Sequence, residues 1–125
     1  MATPGGSPDR GLSERQRISR SCEFLEAYRQ NRKWVGRSMV LFLREGVDAS
    51  LRLGVVAGKK VGKAHHRNRA RRHLREAWRL NRHRFQGDVD VVLVARRGAV
   101  GTSFERIELE LIRLARRAGI IQSPE

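Results

Sequence analysis

The spacing of apolar positions divides most of the chain into helical and strand-like segments. Apolar residues fall on one helical face in a short N-terminal segment and in two longer later ones, whereas three other segments carry the alternation or the β-branched run typical of strands. The predicted order is helix, strand, strand, helix, strand, helix. This order indicates one small α+β sandwich with helices packed on a sheet.

The first helix is expected to be short. Ser21 is of a type that caps helices, and Phe24, Leu25 and Tyr28 follow on one face. We expect residues 30–33 to end this helix.

The last helix has the clearest signals at both ends. Thr102 and Glu105 fit the S/T-x-x-E capping box, and Gly119 marks a stop after Ala118. Between these ends the apolar residues recur at helical spacing, at Phe104, Ile107, Leu111 and Leu114.

Three segments predict strands. Residues 38–44 are apolar on both faces and residues 50–57 on one; because a loop containing Gly46 and Asp48 joins them, we expect a hairpin. Residues 88–95 form a nearly continuous β-branched run, which is typical of a strand covered on both faces. We therefore place this third strand inside the sheet.

Residues 64–84 predict a long amphipathic helix. Phe85 prolongs an apolar stripe that consists of Ala70, Leu74, Ala77 and Trp78. The outer side carries Asn68, Arg69, Arg72, Arg75 and Arg79, with Arg67 and Arg71 near the edge of the stripe. Glu76 is the only carboxylate in this helix, so neighbouring arginines repel one another. A face that is merely solvated usually alternates its charges, and this one does not.

The composition indicates a partner for this face. The chain of 125 residues has 27 Lys and Arg against 13 Asp and Glu, and its net charge of +14 opposes compaction unless a polyanion offsets it. Most basic residues are arginines, whose planar guanidinium suits bidentate contacts with phosphate. A GC-rich genome explains the excess of arginine equally well, but it does not explain the clustering. Nucleic acid is the first partner to consider, and charge alone does not distinguish RNA from DNA.

Several other functions find little support in the residues. Cys22 is the only cysteine, which excludes an internal disulfide or a cysteine-based zinc site and fits a reducing, cytoplasmic compartment. No apolar run is long enough to cross a bilayer, so we expect no membrane partner. The segment GVVAGKK lacks the glycine spacing and the Ser or Thr of a P-loop.

Polar residues with catalytic or metal-binding side chains give weak signals. His65 and His66 lie beside lysines, as acid–base cleavage of RNA would need, but nothing in the sequence orients either ring. Asp88 and Asp90 flank a strand as ordinary end residues do. We expect no metal site in the chain.

The aromatic residues leave two interpretations open. Rings at these spacings usually belong to a core, yet exposed rings can stack on bases. The residues alone favour a core position for Phe24 and divide evenly for Tyr28 and Phe42. Trp34 fits either a loop anchor or a stacking platform.

The stretch GKKVGKAHHRNRARRHLREAWR, residues 58–79, strongly resembles the RNR signature of the bacterial ribonuclease P protein family. Residues 21–43 resemble that family's first helix and first strand, and residues 88–99 resemble its penultimate strand and basic turn. The resemblance covers about residues 12–118. The signature is highly specific because it combines many basic residues in a fixed order.

The resemblance implies a fold and domain limits. It implies a central mixed sheet with an unusual left-handed βαβ crossover that contains the helix of the RNR signature, against the usual right-handed rule. One domain is expected over residues 12–118, between a disordered extension at residues 1–11 and a short tail at residues 119–125.

The resemblance also implies a function. The chain would be a monomeric, RNA-binding subunit of ribonuclease P, an endonuclease whose catalytic RNA, with Mg²⁺, removes the 5′ leader from precursor tRNA. No residue of the chain would be catalytic. The residues implied to bind the RNA subunit are Lys59, Lys60, Lys63, Arg67, Asn68, Arg69, Arg71, Arg72 and Arg75. The residues implied to line a leader-binding cleft are Phe24, Tyr28 and Phe42.

Two rival functions are compatible with the same residues. A structural RNA-binding protein, such as a ribosomal component, would have the same charge and fold. A protein-only nuclease would use His65 or His66.

Overall fold

The chain folds into three helices and four strands. The structure, a computed structural model, describes residues 16–121. The helices are α1 (Ser21–Gln30), α2 (Ala64–Asn81) and α3 (Phe104–Ala118), and the strands are β1 (Arg32–Val35), β2 (Met39–Glu45), β3 (Leu53–Val56) and β4 (Val89–Ala95). Short 3₁₀ turns cover Lys59–Val61, Arg82–Arg84 and Arg97–Ala99. The predicted extension at residues 1–11 and residues 122–125 of the predicted tail lie outside the described residues.

The strands form one mixed sheet in the order β1-β2-β4-β3. β4 pairs antiparallel with β2 and parallel with β3, so the prediction of an interior strand is confirmed. The predicted hairpin between residues 38–44 and 50–57 is wrong, because β4 lies between these two strands. β4 takes the central position because both of its faces are apolar enough to be covered. The antiparallel hairpin is instead formed by β1 and β2.

The apolar pattern did not predict β1. Its residues are exposed apart from the half-buried Trp34, so too few apolar positions remain to show a strand period. Charged side chains on an edge strand oppose pairing with another chain. Trp34 packs against the core, which makes it an anchor of this edge strand.

Different helices cover the two faces of the sheet. On one face, alternate residues such as Leu41 and Leu93 pack with the buried sides of α2 and α3 in the main core. On the other face, Val92 packs with Ala27 of α1 in a smaller core. The expected small α+β sandwich is therefore confirmed. α2 connects the parallel strands β3 and β4, and the left hand of this crossover stays a prediction.

The start of α1 differs from its sequence signal. Ser21 is the first residue of the helix, and the cap position is Arg20, which makes no side-chain cap hydrogen bond. Leu25 is exposed, whereas Glu23 and Ala27 are buried. The helix is held by its contacts with the sheet, so a cap is not needed at its start.

The ends of the other helices agree more closely with the sequence. Ser103, and not Thr102, caps α3, because the Ser103 side chain accepts a hydrogen bond from the backbone amide of Arg106. Gly119 ends α3 in the left-handed conformation, as expected. α2 begins where predicted, and the last turn of its predicted range is the 3₁₀ turn at Arg82–Arg84.

Candidate nucleic-acid interface

A buried stripe fixes the rotation of α2 about its axis. Ala70, Leu74, Ala77 and Trp78 are buried in the main core, as the sequence predicted. The indole of Trp78 stacks on Phe85 with ring centroids 4.1 Å apart. The opposite side of the helix must therefore point into solvent.

The outward side of α2 is a surface that we call the arginine face. It consists of Asn68, Arg69, Arg72 and the half-buried Arg75. Among residues 16–121, no carboxylate forms an ion pair with Arg69 or Arg72. Glu76 instead accepts a hydrogen bond from Nε of Arg79 at 3.1 Å, and this bond lowers the pKa of Glu76. Because the one carboxylate of α2 is occupied, Arg69 and Arg72 are available to an external anion.

Two other arginines of α2 hold the preceding loop. Nη1 of Arg67 donates to the carbonyl oxygen of Gly62 at 2.9 Å, and Nη1 of Arg71 donates to that of Ala57 at 3.3 Å. Gly62 has a φ of 142°, which L side chains rarely adopt, and this lets the chain turn directly into α2. Arg67 and Arg71 therefore position the loop, and their contact with RNA stays a prediction.

The loop before α2 presents lysines at the end of the molecule where α2 begins. Val61 is buried and anchors the 3₁₀ turn, whereas Lys59, Lys60 and Lys63 are exposed. The neighbouring turn contributes Arg97, whose Nε donates to the carbonyl oxygen of Lys60 at 3.4 Å. These residues form a continuous basic end. Arg97 is not among the residues predicted to bind RNA, although the ARRGA stretch after β4 was a signal for it.

Phe24, Tyr28 and Phe42 lie together on the opposite face of the sheet. The rings of Tyr28 and Phe42 are 5.1 Å apart, and Phe24 lies over Gly54, where a Cβ would come within 2.5 Å of the Phe24 ring. Burial raises the pKa of Tyr28. The three rings pack in the smaller core, but each keeps an exposed portion. The aromatic groove, as we define it, is lined by Phe24, Tyr28, Phe42, Val56 and Val94.

A buried ion network fastens α1 over this groove. Asp90 is fully buried and accepts hydrogen bonds from Arg44 and Arg52, each at 2.7 Å. Arg44 also donates to Glu26 at 2.7 Å, and Arg52 to Glu23 at 3.1 Å, so both arginines bridge the sheet to α1.

The network also corrects the sequence interpretation of Asp90. Burial alone would raise the pKa of Asp90, but hydrogen bonds from Arg52 and from two backbone amides lower it overall. The carboxylate is therefore charged inside the protein. The interpretation of Asp90 as an ordinary strand-end residue was wrong, because its partners are distant in sequence and left no local signal.

Comparison with known proteins decides the family. The chain matches the family model for Ribonuclease P over residues 12–119. It is 35% identical over 105 residues to the ribonuclease P protein component of Clostridium botulinum (strain Loch Maree / Type A3), which covers 83% of this chain and 95% of that protein. The chain belongs to the ribonuclease P protein family.

Solved ribonuclease P proteins share the fold. The RNase P protein of Staphylococcus aureus superposes with a TM-score of 0.76 at 23% identity, covering 86% of this chain and 98% of that one. The protein from Thermotoga maritima gives a TM-score of 0.72 at 25% identity, again covering 86% and 98%.

In this ribonuclease P family member, the residues implied by the resemblance form two surfaces on opposite sides of the sheet. His65 is exposed and lies on the same side of α2 as Asn68 and Arg69, which follow it by three and four residues, whereas His66 is half-buried. Their rings lie 4.0 Å apart, and no carboxylate in the described part of the chain hydrogen-bonds to either ring. Over residues 16–121, no helix is long and apolar enough to span a bilayer, and no group of three or more His, Cys or carboxylate residues could hold a metal ion.

Proposed function

We propose that this chain is the protein cofactor of ribonuclease P, which binds the catalytic RNA and assists removal of the 5′ leader from precursor tRNA. The arginine face is the observation that carries this proposal. Its Arg69 and Arg72 project from a helix whose rotation is fixed, and they have no carboxylate partner in the described part of the chain. The family's name for its members, protein components of ribonuclease P, supports the assembly.

In this proposal, the two surfaces bind two different RNAs. The arginine face and the basic end suit the phosphate backbone of the catalytic RNA, since guanidinium groups bind phosphate through paired hydrogen bonds. The aromatic groove suits the single-stranded leader, because unpaired bases stack on exposed rings. The protein then screens the repulsion between the two RNAs. In this proposal the Mg²⁺ ions bind mainly to the RNA, and the residues of this chain bind and orient.

The proposal has a quantitative signature. If about six basic groups neutralise phosphates, release of counterions weakens binding roughly a thousandfold between 50 and 200 mM salt. Binding that depends on apolar contacts alone would change little over the same range.

One reconstitution tests the proposal against both rivals. Precursor tRNA is incubated at low Mg²⁺ with the protein alone, with ribonuclease P RNA alone, and with both. Mature tRNA should accumulate appreciably only in the mixture, and the mixture should still cleave with the variant His65→Ala with His66→Ala, because neither ring is catalytic in this proposal. Cleavage by protein alone would favour a protein-only nuclease, and equal cleavage with and without protein would favour a structural RNA-binding protein.

A further inference from the structure

A basic cavity of about 720 Å³ lies outside both surfaces described above. It opens between the turn that joins β1 to β2, the loop before α3, and α3 itself. Its charged lining residues are Arg37, Arg106, Glu110 and Arg113.

The lining of the cavity carries three arginines against one carboxylate, that of Glu110, so positive charge is in excess. Arg106 and Arg113 are seven residues apart and so share one side of α3, while Arg37 approaches from the turn. All three are exposed, and none of their guanidinium groups forms an ion pair or a hydrogen bond with any of residues 16–121. Like charges gathered around one space repel unless an anion enters it.

Glu110 offsets only one of these three positive charges. It is buried, and its carboxylate accepts hydrogen bonds from the backbone amide of Ser38 at 3.1 Å and from the Ser38 hydroxyl at 2.5 Å. A Cβ on Gly36 would overlap the carboxylate. Glu110 therefore fastens the β1–β2 turn to α3 and holds Arg37 beside the arginines of that helix.

The wall of the cavity is built from close backbone contacts. A Cβ on Gly98 would overlap the carbonyl oxygen of Arg37, so only glycine allows the two loops to approach this closely. The Thr102 hydroxyl donates to the carbonyl oxygen of Gly98 at 2.6 Å, and Nη1 of Arg96 donates to that of Gly36 at 2.7 Å. The cavity is thus held in shape before any ligand arrives.

We infer that this cavity is a phosphate-binding site for an RNA backbone, additional to the arginine face. The inference rests on the proposed function. The cavity is continuous with the basic end, because Gly98 in its wall belongs to the same 3₁₀ turn as Arg97, which contacts Lys60. An RNA strand that follows the lysines can pass over this turn and place a phosphate among the three guanidinium groups.

The test measures how the affinity of the full chain depends on salt, for ribonuclease P RNA and, separately, for precursor tRNA bound by the assembled holoenzyme. Arg106→Ala with Arg113→Ala should lower the slope of log Kd against log salt by about 1 for one of these RNAs, because a lost phosphate contact removes about 0.7 to 0.9. The control is Arg29→Ala with Arg32→Ala, which removes the same charge beside Glu26, Glu45 and Asp48 and should leave both slopes unchanged.

Two results would overturn the inference. One is a cavity variant whose salt slopes for both RNAs equal those of wild type. The other is an equal loss in the control, which would reveal a general effect of net charge. If the slopes are unchanged but inorganic phosphate shifts the amide NMR signals of Gly101 and Thr102 in wild type alone, the cavity holds free phosphate and the RNA assignment fails. Failure of the proposed function appears separately, as wild-type protein that does not enhance cleavage.

Discussion

Tyr28 of α1 and Phe42 of β2 stand edge to face, with ring centroids 5.1 Å apart and planes inclined by 72°. Such pairs are favourable beyond their buried area, so each ring helps to hold the other. The ion network around Asp90 holds α1 against the same sheet. The aromatic groove is therefore formed before a ligand binds, which reduces the entropy lost on binding.

Tyr28→Ala should weaken holoenzyme binding to precursor tRNA by about 1 to 3 kcal/mol, the typical value of one base stacked on a ring. Mature tRNA, which has no leader, should bind as well as it does with wild type. Tyr28→Phe keeps the ring and is the matched control. Binding assays with the two tRNAs check this, and an equal loss for both would remove the groove from leader binding.

Arg69→Ala with Arg72→Ala should weaken binding to ribonuclease P RNA and lower its salt slope by about 1.5, since each phosphate contact contributes about 0.7 to 0.9. The control is Glu76→Gln with Arg79→Gln, which removes an ion pair from the same helix at constant net charge. A double variant that keeps the wild-type slope would show that the arginine face does not bind this RNA.

Elements with a strong local period could be predicted from the sequence. The apolar residues of α2 recur every three or four positions, and β4 is a continuous β-branched run. The local sequence pattern was therefore enough to define each element. The orientation of Arg69 and Arg72 follows from the same stripe.

Features that depend on the choice of partner could not be predicted in this way. From the sequence, residues 38–44 and 50–57 are expected to pair with each other as a hairpin. The strand that lies between them, β4, begins more than thirty residues after β3 ends, so no local pattern indicates it. The pairing of Asp90 with Arg44 and Arg52 likewise depends on which strands become neighbours. The cavity beside Arg37 needs the β1–β2 turn and α3 to meet, and no local spacing records that contact.

Asp90→Asn should lower the free energy of unfolding by about 3 kcal/mol near neutral pH, because it removes one charge from a buried, paired group. Burial opposes ionisation, but hydrogen bonds from Arg52 keep the pKa of Asp90 lowered in the folded state. The stabilisation is therefore complete above the unfolded-state pKa of about 3.9 and is lost as pH falls through the folded-state value.

Urea unfolding at a series of pH values checks this prediction. The difference between wild type and Asp90→Asn should be constant from about pH 5 to 8 and should shrink below about pH 4. Asp88→Asn changes an exposed carboxylate two residues away and should stay within about 0.5 kcal/mol of wild type. A difference that does not shrink in acid would mean that the charge of Asp90 is not what stabilises the fold.

Gly54→Ala should displace the Phe24 ring, because the new Cβ would lie 2.5 Å from Cε1 of that ring. Overpacking of this kind costs about 1 to 3 kcal/mol, and the displaced ring should also weaken leader binding. Gly58→Ala is the control, since a Cβ there meets no atom within 4 Å. In a Phe24→Ala background the penalty of Gly54→Ala should largely disappear, as measured by urea unfolding in a double-mutant cycle. If Gly54→Ala destabilises the Phe24→Ala variant as much as it destabilises wild type, the strain lies in the β3 backbone. The contact between Phe24 and Gly54 would then not be what shapes this side of the groove.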